Sequence, residues 1–179
     1  MKQNEIKHLL PGIFQRTIRP GNPLSAILEV MEALHSPSER ILEHLDSFFD
    51  PYRTPDHFAP YLARWVDLER FLTEFPEEFS ATAPPSFPSG IGRLRELIAT
   101  AAFLSKWRGT SRGLLRFLET ATGAQGFEIH ERVPGIDGRP RPFHILVRAP
   151  KKTKPYRDLI EQIIEMEKPA YVTYQLDFM

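Results

Sequence analysis

The segment Arg93–Gly123, RLRELIATAAFLSKWRGTSRGLLRFLETATG, decides how this chain is read. Leu94, Leu97, Ile98, Ala101 and Leu104 recur at helical spacing, and Leu114, Phe117, Leu118 and Ala121 form a second such stripe. Between the stripes stands Arg108-Gly109-Thr110. Glycine takes the left-handed conformation that ends a helix, and threonine caps the next one. Two amphipathic helices joined at this turn are therefore expected, with Gly123 closing the second. Gly113 would weaken an exposed helix, so its place is best explained by a neighbouring backbone that comes close. We expect the turn to be internal architecture, with Arg108 reaching helix-end carbonyls or an acid from the first half.

Working upstream, prolines and phenylalanines alternate with Ser, Thr and Glu over residues 71–90, and periodicity is lost. This reads as a long docked loop, with a helical turn near Glu77. Thr54-Pro55-Asp56 reads as a helix start, followed by Phe58, Leu62, Trp65 and Val66 on one face. Ser36-Pro37-Ser38-Glu39 carries the signature of a capping box and predicts a fresh start inside residues 24–49. Leu24, Ile27, Leu28, Met31 and Leu34 precede it at helical spacing, and Ile41, Leu42, Leu45, Phe48 and Phe49 follow. Residues 1–23 contain LLPGIF and end in Arg19-Pro20-Gly21-Asn22-Pro23, which predicts an extended arm.

Downstream of Gly126 the period changes from about 3.6 to 2. Phe127, Ile129, Glu131 and Val133 alternate with polar neighbours, as do Phe143, Ile145 and Val147. Pro134–Pro142 reads as a hairpin loop. Pro155 opens a helix that Lys168-Pro169 ends, and Tyr171–Phe178 alternates as a last strand. The expected fold class is α+β, with a mostly helical N-terminal region followed by a small three-stranded sheet with one helix, in the order β-β-α-β. The expected division is an arm over 1–23, a helical domain over 24–124 and a small α+β domain over 125–179.

The chain has 179 residues, enough for one domain with a core of its own. It has no cysteine, which excludes disulfides, thiolate zinc sites and a cysteine nucleophile. Lys2 and Lys7 are followed by no apolar run of signal-peptide length, and no stretch approaches a membrane span. A soluble, unexported protein is expected. The net charge of zero hides an asymmetry. Residues 1–90 hold 8 basic and 13 acidic side chains, and residues 91–179 hold 15 and 10. This fits halves that neutralise each other, and equally an interface.

Reaction chemistry is hard to assemble from these residues. The histidines at 8, 35, 44, 57, 130 and 144 lack metal-ligand spacing, no serine sits in a nucleophile elbow, and Glu77-Glu78 reads as a solvated acidic turn. Gly90-Ile91-Gly92 reads as a helix-start turn. No enzyme, cofactor or metal is expected. The basic residues Arg93, Arg95, Lys106, Arg108, Arg112 and Arg116 allow an alternative, a helix-turn-helix that binds nucleic acid. Scarce base-reading side chains, a neutral chain and Gly113 count against it.

Taken in order, several motifs resemble the phage tail protein I family. They are Leu10-Pro11, Phe49-Asp50-Pro51 with Pro55 and Phe58, Tyr61-Leu62-Ala63-Arg64-Trp65-Val66, the whole of Arg93–Gly123, and Glu167-Lys168-Pro169-Ala170 with Tyr174. The long loop at 71–90 departs from the family pattern, as does the run Asp67-Leu68-Glu69, which lacks the family's usual glycine. The resemblance implies a structural baseplate wedge subunit of a contractile tail or phage-tail-like injection particle. Such a subunit joins larger wedge proteins in a six-fold assembly around the central spike, with spike or sheath-initiator proteins as further candidate partners. It implies no nucleic acid, no membrane, and a location in the producing cell's cytoplasm and then in the assembled baseplate. The residues singled out as structural or interaction positions are Trp65, Arg93, Trp107, Arg108, Gly109, Thr110, Gly113, Leu114, Gly123 and Pro169.

Overall fold

The computed structural model describes residues 3–73, 86–135 and 139–179. The expected turn near Glu77 and the tip of the loop after Pro134 lie outside them. The fold is α+β, with a helical N-terminal region and a three-stranded sheet. The chain divides into two compact units, Met1–Phe48 and Phe49–Met179. The division therefore falls at 48/49, not at 23/24 or 124/125.

In the first unit, α1 (Gln3–Leu9), α2 (Gly12–Thr17) and α3 (Pro23–Glu43) replace the expected extended arm and split helix. Pro11 does not extend the chain. Its carbonyl accepts from the amides of Phe14 and Gln15, which starts α2. Gln15 Nε2 donates to the Leu10 carbonyl at 2.6 Å beside the end of α1. Asn22 caps α3, its Oδ1 accepting from the Leu24 amide at 3.1 Å, and Pro23 takes the first turn. Pro37 sits inside α3, and no fresh start occurs at Ser36. A proline removes one amide and crowds one carbonyl, but the turns on either side keep their own bonds. Ile6 and Leu28 are the buried apolar side chains here, where α1 packs on α3.

The second unit begins with the last residue of α4 (Leu45–Phe49), and turns follow. The expected helix start at Thr54 is displaced to α5 (Ala59–Trp65). The Thr54 carbonyl is taken by Arg95, and its Oγ1 is buried without a hydrogen-bond partner, so it does not act as a cap. Pro60 occupies the first turn of α5 instead. A 3-10 turn (Glu69–Phe71) precedes α6 (Ile91–Lys106) and α7 (Ser111–Thr122). Both expected apolar stripes are buried.

The sheet is ordered β1 (Glu128–His130), β2 (His144–Ala149), β3 (Thr173–Phe178). β1 and β2 are antiparallel, with Ile129 opposite Val147, while β2 and β3 are parallel, with Val147 opposite Leu176. A parallel pair needs a crossover. A 3-10 helix (Lys151–Tyr156) and α8 (Arg157–Glu167) supply it, with Pro155 inside the 3-10 part. One hydrophobic cluster joins Leu62, Phe71, Leu94, Leu118, Val147 and Ile164. Helices from before residue 124 and the sheet after it thus share a core, which is why 124/125 is no boundary.

Candidate functional site at the Arg-Gly-Thr turn

The turn between α6 and α7 is built from three local devices. Gly109 has a φ of +75°, the left-handed conformation that glycine adopts without strain. Thr110 caps α7, its Oγ1 accepting from the Gly113 amide at 3.1 Å and donating to the Trp107 carbonyl at 2.7 Å. The Thr110 amide also donates to that carbonyl at 3.2 Å. Gly113 is buried against the same peptide group. A Cβ there would overlap the Trp107 carbonyl, so the close backbone approach expected for Gly113 is found.

Arg108 projects from this turn to the end of α8. Its Nη2 donates to the Met166 carbonyl at 3.2 Å, and it faces Asp67 at 3.6 Å and Glu167 at 3.7 Å. Both expected targets, a helix-end carbonyl and an acid from the first half of the chain, are present. Arg70 completes the joint, with Glu167 at 2.8 Å and Asp67 at 3.3 Å. Gln162 Nε2 donates to the Arg70 carbonyl at 2.6 Å. The Glu167 side chain is 7% exposed. Burial pushes its carboxyl above its ordinary 4.5, the guanidiniums of Arg108 and Arg70 pull it down, and Asp67 pushes it up. Asp67 has a φ of +61°, in the left-handed region that glycine adopts most readily.

Beside the joint lies a cavity of about 270 Å³ lined by Gly109, Thr110, Ser111, Leu114, Pro169, the start of β2 and the residues just before β3. A Cβ on Gly109 would stand 3.9 Å from Pro169 Cγ. The structure therefore brings Trp107, Arg108, Gly109, Thr110, Gly113, Leu114 and Pro169 to one end of the α6–α7 hairpin. Arg93 and Gly123 lie at the other end. Gly123 closes α7 with a φ of +67°, and the Arg93 guanidinium packs where a Cβ would go while bonding Glu96 at 2.7 Å. Trp65 stands apart, 64% exposed, stacked on Phe49 at 5.8 Å with Phe58 edge-on at 6.5 Å.

Residue-by-residue reading overlooked two ties. Arg95, among the basic residues of α6, donates to the carbonyls of Pro51 and Thr54 and pairs with Asp56 at 2.6 Å. It anchors the whole turn segment before α5. Ser89 Oγ donates to the Ala121 carbonyl near the end of α7. The available signal was an arginine next to the buried Leu94, with no acid three or four residues away to hold it on its own helix.

Among the described residues no group of three His, Asp or Glu side chains is placed to hold a metal ion. No described helix is long and apolar enough to cross a membrane. No protein-family model matches the chain, and no curated protein matches it.

Proposed function

We propose that this chain is a structural wedge subunit of a contractile baseplate, assembling with larger wedge proteins around a central spike. The observation that carries the reading is the meeting of separate motifs at one joint. The Arg-Gly-Thr turn and the Glu167-Lys168-Pro169 segment both belong to the resembled pattern, and they meet in one network through Arg108 and Glu167, with Asp67 beside them. The joint's charges are spent on each other and on backbone carbonyls, which suits a scaffold better than a reaction. Co-expression with the neighbouring wedge genes tests the reading, with a stable heteromeric complex as the expected product. Titration with duplex DNA at low and high salt tests the helix-turn-helix alternative. Tight binding with a steep salt dependence would replace the wedge assignment.

A further inference from the structure

The outer side of the α6–α7 hairpin carries a groove of about 510 Å³ that the joint does not use. Phe103 and Leu115, both half-buried, form an apolar floor, and Arg112 and Arg116 rise from α7 beside it, with Thr100 and Glu119 completing the lining. Other arginines of the hairpin are engaged within the chain. Arg93 holds Glu96, Arg95 holds Asp56, and Arg108 holds Asp67 and Glu167. Neither Arg112 nor Arg116 forms a side-chain ion pair or hydrogen bond among the described residues.

Arg112 is nevertheless fixed in place. Its guanidinium lies 4.6 Å from the centroid of the Trp107 ring and 5.6 Å from that of Phe103. A guanidinium stacked on its face keeps its edge N–H donors for another acceptor. Arg112 also occupies the first turn of α7, where there is no acid, so it opposes the helix dipole. Two unmatched cations above an apolar floor complement carboxylates that flank an apolar stripe. Tryptophan and arginine at such a groove are the residue types that anchor protein interfaces. A nucleic-acid backbone fits less well, because the apolar floor of Phe103 and Leu115 would face phosphates.

We propose that this groove docks an amphipathic helix of a partner protein whose apolar stripe is flanked by aspartate or glutamate. The proposal does not depend on the assignment to a baseplate. It is tested on the full chain with fluorescently labelled synthetic helices of roughly 18 residues, or five turns. One carries a leucine stripe flanked by glutamate, one the same stripe flanked by lysine, and one the glutamates with the stripe scrambled. The expected result is saturable binding of the first, weakened at least about tenfold in the other two and in the double variant Arg112→Glu, Arg116→Glu. The double variant, shown folded by circular dichroism, should in turn prefer the lysine-flanked helix. The proposal is overturned if no helix binds, if all three bind alike, or if charge reversal leaves binding unchanged. It is equally overturned if duplex DNA displaces the glutamate-flanked helix at matching concentration, or if sedimentation shows the groove occupied by a second copy of the chain.

Discussion

In residues 3–48 the buried apolar side chains are Ile6 and Leu28, whereas residues 49–179 hold a cluster that includes Leu62, Leu94, Leu118, Val147 and Ile164. Both regions show the same helical periodicity in sequence. In α6 and α7 the stripe is covered by the opposing helix, by α5, by α8 and by the sheet. In α3 the stripe residues Ile27, Met31, Leu34, Ile41 and Leu42 are exposed. Periodicity reports which side of a helix is apolar and says nothing of what covers it. Stability in the two regions should therefore respond differently to the same kind of substitution.

The largest effect is expected in the covered region. Phe117 is buried edge-on against Phe71, with centroids 5.1 Å apart. Phe117→Ala should cost about 3–5 kcal/mol in chemical denaturation, as large-to-small changes in packed cores do. Leu34, 72% exposed on α3, supplies the contrast. Leu34→Ala should stay within about 0.5 kcal/mol. Equal losses for the two would erase the distinction between the regions.

Next come the glycines of the turn. Gly113→Ala places a methyl group on the Trp107 carbonyl and should cost about 1–3 kcal/mol, as overpacking does. Gly109→Val forces a β-branched residue into positive φ, for about 1–2 kcal/mol from the backbone alone. An unchanged melting temperature for both would remove the turn from the architecture.

A smaller effect concerns the joint. The carboxyl of Glu167 is held above its ordinary 4.5 in the folded chain by burial, against Arg108 and Arg70 and with the help of Asp67. The folded state therefore binds its proton more tightly than the unfolded state. That contribution to stability is fully present below the unfolded value and is lost as pH rises through the folded one. Glu167→Gln should abolish this dependence. The melting temperature of the natural chain should fall relative to the variant as pH rises from below 4.5 towards neutrality. A difference that grows in the opposite sense would mean that the guanidiniums, not burial, dominate.

Much of the covered region was legible because local and tertiary demands agree there. The Gly109 and Gly123 ends, the Thr110 cap and both stripes follow from backbone sterics and period, which act within a few residues. The targets of Arg108 were also foreseeable in kind, since a helix-turn cation seeks carbonyls or acids. Its specific partners were not, because Asp67 and Glu167 lie 41 and 59 positions away in the chain. The failures share a cause. Pro11-Gly12, Ser36-Pro37 and Thr54-Pro55 are ambiguous punctuation, and tertiary contacts decide whether such a pair stops, starts or interrupts a helix. At Thr54 that contact is Arg95, brought in from 41 residues downstream.

The central claim, that this chain works as a subunit of a hetero-oligomeric wedge, is tested most directly by mass. The chain should be co-expressed with the neighbouring wedge proteins, purified through a tag on one of them, and measured by light scattering after size exclusion. The account predicts a single species heavier than any one component, containing this chain in fixed ratio to its partners. A chain that elutes alone at the 20.7 kDa of a monomer beside every such partner would contradict it.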